Sequence, residues 1–291
     1  MSSKLYIFVL AGYCPPFHAI MIPKGSAAKN CADAVKKDSY REGSAAMTRE
    51  EMYASIYTHD TVYRPPQEEG SAMLEVALGC SWGKCTFCDF AKDAFSIHPM
   101  DKIEFNARML GLLDRDAKRV FLLGENAFVL STDQLVEVFD LIHAHMPNVE
   151  EIAMYARIDD VLRKSDEDIL LLKSMGLCDL HIGVESGSDS ILEMVNKGIT
   201  SFDTVTALNR LDKLGIGYYL TIILGLGGKT FRNLHAIETA RMLNKTHPKC
   251  IWALALKLWL GTPLYKAEKR GGLTLSITGA CCWRSGSCWK T

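Results

Sequence analysis

Between residues 72 and 257, short apolar runs alternate with longer segments in which apolar residues recur every three or four positions. Short apolar runs bounded by polar residues or glycine are typical of buried β-strands, and the longer periodic segments are typical of amphipathic helices. The pattern predicts six strands, at residues 72–78, 119–123, 151–155, 179–184, 218–224 and 251–257.

Helices are predicted between these strands, and several have clear start signals. Ser131 precedes one periodic run, and three acidic residues (166–168) follow Ser165 in the first turn of another, where they favour the helix dipole. The predicted helices cover residues 102–114, 132–145, 165–175, 188–195 with 202–214, and 230–243.

This order of elements predicts a fold class. Strands joined by crossover helices pair in parallel, and strands that are apolar throughout are buried on both faces. We expect an α/β fold, a partial (β/α)6 TIM-like barrel with parallel strands and crossover helices; a doubly wound sheet is the alternative. In both architectures the functional side chains collect at the carboxyl ends of the strands.

The two ends of the chain depart from the repeating pattern. Residues 5–12 are apolar but far too few to span a bilayer, and residues 24–43 are polar without a period, which indicates a loop. We expect a partly flexible leader over residues 1–62, with a short helix near 47–57, and a core domain over residues 63–265. Residues 266–291 lack a helical or strand period near their end and predict a truncated or irregular tail.

Charge and cysteine usage narrow the class of protein. Lys and Arg number 33 against 34 Asp and Glu in 291 residues, a net charge of -1 that gives no general attraction to nucleic acid or to anionic membranes. Ten cysteines are too few and too unevenly spaced for a disulfide framework. Because three of them lie within residues 80–88, we expect a metal site in a reducing compartment and a cytoplasmic protein.

Cys80, Cys85 and Cys88 lie on the loop that follows the first predicted strand. Thiolates select zinc or iron–sulfur centres. A structural zinc ion takes four protein ligands, and the nearest further Cys or His is His98. A cubane cluster held by three cysteines leaves one iron open, which suits catalysis. The residues favour a cluster, with zinc or unligated core thiols as alternatives.

The loop resembles the cluster-binding loop of the radical S-adenosylmethionine (radical SAM) superfamily, whose pattern is C-x3-C-x2-C after the first barrel strand. Cys85-Thr86-Phe87-Cys88 fits the second half, including the aromatic residue before the last cysteine. The first half differs, since four residues rather than three separate Cys80 from Cys85. The resemblance implies that these three cysteines bind a [4Fe–4S] cluster and that Phe87 lies beside the cofactors.

Motifs at the next strand ends follow the order of the family. Leu123-Gly124-Glu125 resembles the Gly-Gly-Glu turn that binds the methionine amino group of SAM, although its first glycine is missing, and implies this role for Gly124 and Glu125. Arg157 follows the third strand. It is suited to hold the SAM carboxylate through two N–H donors, or to form a salt bridge at the rim of the barrel.

The fourth strand carries the sequence HIGVESGS (181–188), followed by VNKG (195–198). It resembles the subgroup of oxygen-independent coproporphyrinogen oxidases and tRNA methylthiotransferases, in which a polar residue at the position of Glu185 meets the SAM ribose. The resemblance also implies that Gly225 and Gly227, after the fifth strand, flank the adenine. It extends over about residues 63–265, including LGTPLY (260–265).

The resemblance implies a radical SAM enzyme, in which an electron from a flavodoxin- or ferredoxin-type donor cleaves SAM to a 5′-deoxyadenosyl radical that abstracts hydrogen from an unknown substrate. Two alternatives stay open: a non-enzymatic zinc-binding barrel, and a truncated radical SAM core with little activity. Cys178 and Cys250 are expected to be core or near-core thiols, and Trp252 and Trp259 to serve in packing.

Overall fold

The computed structural model describes residues 6–10, 19–21, 48–59, 61–89 and 93–270. In chain order the strands are β1 (Tyr6–Leu10), β2 (Ala19–Met21), β3 (Thr61–Tyr63), β4 (Ala72–Glu75), β5 (Ala77–Leu78), β6 (Ser96–Ile97), β7 (Arg119–Leu123), β8 (Glu151–Ala156), β9 (Leu177–Glu185), β10 (Gly217–Leu224) and β11 (Cys250–Ala255). Short 3-10 turns lie at Pro66–Glu68 and Ala127–Val129.

The helices that connect and cover these strands match most of the predicted ones. They are α1 (Arg49–Ile56), α2 (Met100–Leu113), α3 (Thr132–His145), α4 (Ile158–Arg163), α5 (Asp166–Ser174), α6 (Asp189–Met194), α7 (Ser201–Leu214), α8 (Arg232–Leu243) and α9 (Pro263–Lys269). In the described ranges, no helix is long and apolar enough to cross a membrane.

Seven strands form one parallel sheet in the order β1-β11-β10-β9-β8-β7-β4. From β4 to β11 the strands lie side by side in chain order, without the reversal that marks the switch point of a doubly wound sheet. The predicted α/β fold, a partial (β/α)6 barrel with crossover helices, is therefore confirmed.

The first predicted strand, residues 72–78, divides into two. After Glu75, the Val76 N–H still donates to the Leu123 carbonyl at 3.1 Å, but the chain then leaves the parallel sheet. β5 pairs antiparallel with β6 instead, with Ala77 opposite Ile97. The cysteine loop follows β5 and therefore begins just beyond the carboxyl end of β4.

Helix starts follow the capping signals in the sequence. Ser131, Ser165 and Thr200 each accept a hydrogen bond from the backbone of the third helical residue, whose side chain accepts one in return from the cap backbone. Each cap of this kind contributes about 1 kcal/mol. α3 begins and ends as predicted, whereas α4, which directly follows Arg157, was not predicted.

The leader adds elements that the sequence pattern did not predict. β1 pairs in parallel with β11, Tyr6 opposite Cys250 and Leu10 opposite Leu254, while β2 pairs antiparallel with β3. α1, which begins with a capping box at Thr48, is the short helix expected near residues 47–57. The loop expected at 24–43 and most of the tail expected at 266–291 lie outside the described residues.

The alternation of side chains along the strands separates the core from the barrel interior. Leu74, Leu122, Met154, Leu180 and Tyr218 share one register across five neighbouring strands, and each is at most 1% exposed. They belong to the main hydrophobic core, which includes residues of α2, α3, α5 and α7. The residues between them point into the barrel and supply the site.

Candidate functional site

A cavity of about 610 Å³ opens at the carboxyl ends of the barrel strands. Functional side chains at this edge are expected in parallel barrels. Of the ten residues that the sequence singled out, eight line this cavity: Cys80, Cys85, Phe87, Cys88, Gly124, Glu125, Arg157 and Glu185.

The cysteine loop is held in a fixed path at its start and in its second half. Gly79 has φ +67°, and a Cβ there would overlap the Asp93 carbonyl, so glycine is required. Further on, the Cys88 N–H donates to the Cys85 carbonyl at 3.3 Å, and the Thr86 N–H donates to the Val195 carbonyl at 2.9 Å. The loop thereby places three half-buried cysteines, none of them in a disulfide, at the cavity wall.

The thiol of Cys85 lies in a mixed electrostatic environment. Burial raises its pKa to about 11, while the positive charges of Lys197 and Arg157 act in the opposite direction. A bound metal deprotonates its thiol ligands, and such binding releases a proton. Lys197 and Arg157 favour the resulting thiolate by their charge.

Glu185, at the end of β9, has unusual geometry for a buried acid. It adopts φ +62°, and its Oε1 accepts from Lys197 Nζ at 2.8 Å. A Cβ at Gly183 would overlap Oε1, so the glycine leaves room for this ion pair. Within the described part of the chain Oε2 is buried and has no hydrogen-bond partner, which leaves a free acceptor at the cavity wall.

The side chain of Lys197 is buried, with 9% of its surface exposed, yet its ammonium group remains charged. Burial lowers its pKa, but the carboxylate of Glu185 and the thiol of Cys85 outweigh that effect and raise the pKa above its usual value. Lys197 belongs to the VNKG sequence, but the sequence pattern gave it no role. Its pairing with Glu185, twelve residues earlier, depends on how the chain returns after α6.

Arg157 is buried, with 6% of its surface exposed, and lines the cavity. Its Nη2 donates to the Lys197 carbonyl at 3.0 Å, and its Nε lies 2.9 Å from Asp159 Oδ1. Of the two predicted roles, the structure shows an ion pair, but in a buried position rather than at an exposed rim. A role in binding the SAM carboxylate stays a prediction.

Gly124 and Glu125 form the turn at the end of β7. Gly124 has φ +131°, and a Cβ there would come within 3.1 Å of Ala77 Cβ, so the turn packs closely on β5. Glu125 is accessible from the cavity, yet the protein around its carboxyl group desolvates it. This desolvation raises its pKa, and the negative charges of Asp93 and Glu75 add to the effect.

Gly225 and Gly227 do not line the cavity. Gly225 has φ +90°, and Gly227 approaches the backbone of Phe231, where a Cβ would lie 2.9 Å from the carbonyl oxygen. Thr221 and Ile223 of β10 form the cavity wall on this side instead. The predicted contact of the two glycines with adenine stays a prediction, and close packing against the start of α8 accounts for Gly227.

An aromatic layer below the cavity was not predicted. Tyr155, His181 and Tyr219 lie opposite one another on β8, β9 and β10, and the rings of His181 and Tyr219 stack at 4.5 Å. His181 Nε2 lies 2.8 Å from Glu68 Oε1, which Arg119 also contacts at 2.7 Å. Burial acts to raise the pKa of Glu68, but hydrogen bonds from Arg119, His181 and Ser71 outweigh this effect and lower the pKa to about 2.

Trp252 and Trp259 also line the cavity, where the sequence predicted only packing. Both tryptophans occur among apolar residues in and after the last strand. Nothing in the local sequence therefore indicated that their side chains line a cavity. Cys250 is buried, and Cys178 is half-buried against the hydrophobic cluster that contains Phe121, so both positions agree with the prediction. Cys178 also lies 3.0 Å from an Arg119 nitrogen.

The arrangement of the thiols bears on the kind of metal centre. Among the described residues, no three His, Cys, Asp or Glu side chains are placed to share one metal ion. A structural zinc site needs ligands that converge on one ion, whereas in a cubane cluster each cysteine binds a different iron. Three thiols along one wall, with a free carboxylate oxygen in the same cavity, fit a cluster with a second ligand beside it.

The fold is a parallel part-barrel with three cysteines on the loop beyond its first strand. The sequence model of the Radical SAM superfamily matches residues 74–240, more than half of the chain. The chain therefore belongs to the radical SAM superfamily. This membership confirms the family expected from the motifs and, with it, the two cofactors of that family, a [4Fe–4S] cluster and SAM.

Curated relatives match the same part of the chain. The heme chaperone HemW of Bacillus subtilis (strain 168) is 29% identical over 174 residues, covering 56% of this chain and 45% of HemW. The tRNA-2-methylthio-N(6)-dimethylallyladenosine synthase of Wolbachia pipientis subsp. Culex pipiens (strain wPip) is 27% identical over 202 residues, covering 66% of this chain and 45% of that enzyme. The chain thus spans a little under half the length of these relatives.

Solved structures of the superfamily share the fold. The radical SAM methyltransferase TsrM from Kitasatospora setae superposes with a TM-score of 0.55 at 18% identity, covering 71% of this chain and 41% of TsrM. Coproporphyrinogen III oxidase (HemN) from Escherichia coli gives a TM-score of 0.52 at 16% identity, with 72% and 48% covered. At this identity the likeness establishes the fold alone.

Proposed function

We propose that residues 63–265 form the core domain of a radical SAM enzyme that binds its cluster and SAM in the cavity described above. The observation that carries the proposal is that three thiols and a free buried carboxylate oxygen face the same space at the carboxyl ends of the strands. In this proposal Cys80, Cys85 and Cys88 hold the cluster, and Phe87, Gly124, Glu125, Arg157 and Glu185 contact SAM from the cavity wall. Gly225 and Gly227 lie outside the cavity lining, and their proposed place beside the adenine rests on the family resemblance alone.

When bound, the cluster and SAM supply the chemistry of the family, in which electron transfer cleaves SAM to a 5′-deoxyadenosyl radical that abstracts hydrogen from a substrate. The chain's own residues position these groups. Lys197 holds Oε1 of Glu185, so Oε2 is left to accept from the ribose hydroxyls. Glu125 accepts from the methionine ammonium group, and Arg157 provides positive charge for the carboxylate.

The cavity wall also keeps water away from the reacting groups. The cavity lining includes four large side chains, Tyr155, Trp252, Leu254 and Trp259. Large apolar side chains exclude water from a site in which a reactive intermediate would otherwise be lost. The substrate is a molecule that reaches this cavity, and its selection depends on regions outside the shared barrel.

The reductant reaches the cluster through the cysteine loop. Ser81, Gly83 and Lys84 are exposed, so this loop is accessible from the protein surface. We assign this face to a flavodoxin- or ferredoxin-type electron donor. Because thiolate-bound clusters and free thiols persist where thiols stay reduced, the cytoplasm is the compartment in which such an enzyme would work.

Anaerobic reconstitution with iron and sulfide tests the proposal. The wild-type chain should acquire about four irons and the visible absorbance of a cubane cluster, and should release 5′-deoxyadenosine from SAM with dithionite. Cys85→Ala should lose the absorbance, whereas Cys178→Ala, which removes a half-buried thiol outside the loop, should keep it. If the variant with all three loop cysteines replaced by Ala binds iron and cleaves SAM as wild type does, the proposal is wrong.

A further inference from the structure

Trp82 connects the cysteine loop to the turn that follows α6. It lies in the segment between Cys80 and Cys85, which is one residue longer than the family pattern. Its indole Nε1 donates to the Asn196 carbonyl at 2.8 Å. This hydrogen bond joins two parts of the chain that are 114 residues apart.

The turn around residues 196–198 is shaped to receive the indole ring. Asn196 and Gly198 both have positive φ, +52° and +77°, and a Cβ at Gly198 would overlap the ring of Trp82. Asn and Gly are the residue types that most readily adopt left-handed backbone, so the sequence at 196 and 198 suits this turn. Trp82 and the turn therefore fit each other closely.

Trp82 also lies beside Arg157, whose positive charge lines the cavity. The guanidinium carbon of Arg157 lies 5.1 Å from the centre of the indole ring, and Lys84 Nζ lies 4.8 Å from it. Arg157 further donates to the Lys197 carbonyl, and Lys197 holds Glu185. A continuous set of contacts thus runs from the first half of the cysteine loop to the free oxygen of Glu185.

We propose that Trp82 is a positioning residue, which fixes the first half of the cysteine loop and the guanidinium of Arg157 against the turn that carries Lys197. The inference rests on the proposed function of the cavity. Hydrogen bonds of Thr86 already hold the second half of the loop, to Val195 and Leu264. The longer first half has more conformational freedom to lose. Two side chains restrain it: Ser81 accepts from Asn126 at 2.8 Å, and Trp82 connects the loop to the turn that carries Lys197.

The first test compares Trp82→Ala with Trp82→Phe in reconstituted protein. Loss of the ring and of its hydrogen bond should weaken SAM binding about tenfold, because Arg157 loses a cation–π partner and the turn loses a donor. Phe keeps a ring beside Arg157 and Gly198, so SAM affinity should stay within about threefold of wild type. Arg108→Ala, which removes an exposed cation beside the ring of Phe105 on α2, should leave SAM affinity unchanged.

The readouts are the SAM dissociation constant by equilibrium dialysis and the electron paramagnetic resonance spectrum of the reduced cluster. In the wild type, SAM should alter the spectrum; in Trp82→Ala the same change should need about tenfold more SAM. A residue that serves only stability would lower the unfolding temperature without moving this titration. If Trp82→Ala binds SAM with wild-type affinity, the inference is wrong while the proposed function stands.

Hydrogen exchange of the protein without cofactors tests the inference even if no cluster assembles. In Trp82→Ala, amides of residues 80–84 and 196–198 should exchange about tenfold faster than in the wild type, and those of α3 should not change. An unchanged exchange rate in both segments would overturn the proposed restraint. This readout separates a failure of the inference from a failure of the proposed function.

Gly198→Ala gives a second, independent test. The new methyl group would displace the indole ring, so this variant should weaken SAM binding as much as Trp82→Ala does. Gly215→Ala is the matched control, because Gly215 also has positive φ, +67°, but its Cβ would meet only the flexible end of Lys173. In the double variant with Trp82→Ala, Gly198→Ala should add little. Additive losses would show that the two residues act separately and would contradict the inference.

Discussion

At the amino ends of the barrel strands, buried carboxylates are paired with cations. Glu68 accepts from Arg119 at 2.7 Å and from His181 at 2.8 Å, and Asp179 lies 3.0 Å from Arg119 and 2.5 Å from Lys249. Both acids are at most 2% exposed. A paired network of this kind is costly to interrupt, because each partner left behind is a buried charge.

At the carboxyl ends the same strands leave polar atoms without such partners. Glu185 has positive φ and a buried Oε2 without a hydrogen-bond partner among the described residues, and the pKa of Glu125 is raised. These features cost stability and are retained where a ligand would satisfy them. One end of the barrel is therefore built for stability and the other for binding.

Arg119→Met should have the largest effect on stability. It leaves Glu68 and Asp179 without a major cation in a buried site, which should lower the free energy of unfolding by about 3–5 kcal/mol. Urea unfolding measures this loss. The folded fraction should still assemble a cluster, because Arg119 lies at the opposite end of the strands from the cysteine loop.

Lys118→Met is the matched control for the Arg119 variant. Lys118 pairs with Glu150 at 3.4 Å, with both side chains more than 60% exposed, so its loss should cost at most about 1 kcal/mol. Equal losses for the two variants would mean that the network at the amino ends has no special role in stability.

The pH dependence of the free energy of unfolding should reveal the contribution of Glu68. Its pKa is lowered from 4.5 to about 2, so its ionised form stabilises the fold above about pH 4.5, and this contribution is lost as the pH falls toward 2. Glu68→Gln should cost about 3 kcal/mol at pH 6, and the difference from wild type should shrink by about 2 kcal/mol at pH 3. Urea unfolding at the two pH values measures it; a difference that stays constant would contradict the assignment.

The contrast between the two ends also explains what the sequence could predict. The period of apolar residues and the caps at Ser131 and Ser165 predicted the strands and helices, because these signals are local. Eight candidate residues came together in the cavity, because each follows a strand and parallel strands end at one edge.

Contacts between distant segments had no local signal. Lys197 pairs with Glu185 because the turn after α6 brings the chain back to the end of β9. Trp82 donates to Asn196, which is 114 residues away in sequence. Glu68 lies on a 3-10 turn before the barrel, and its cation is Arg119, at the start of β7. β1 was missed because a strand of five residues in a segment without flanking periodicity does not stand out from a loop.

Glu185→Gln should separate binding from stability at the carboxyl end. The amide keeps the size of the side chain but leaves Lys197 without its anion, so the free energy of unfolding should fall by about 1–2 kcal/mol. SAM affinity should fall about tenfold or more, since a charged acceptor for the ribose hydroxyls is lost. Glu193→Gln, an exposed acid eight residues later, should change neither. Unfolding curves and equilibrium dialysis provide the two measurements.

Glu125→Gln should have the smallest effect on stability, and of the opposite sign to Glu68→Gln. Because desolvation raises the pKa of Glu125, its ionisation disfavours the fold, and stability falls as the pH rises from the unfolded-state pKa through the folded-state pKa. At pH 7 the neutral amide should therefore be slightly more stable than the wild type, by at most a few tenths of a kcal/mol, because Glu125 is exposed and solvent screens its charge. SAM binding should weaken, because the methionine ammonium group loses a negative partner. A variant that is less stable yet binds SAM normally would place Glu125 among the structural acids, and the division between the two ends of the barrel would then have to be redrawn.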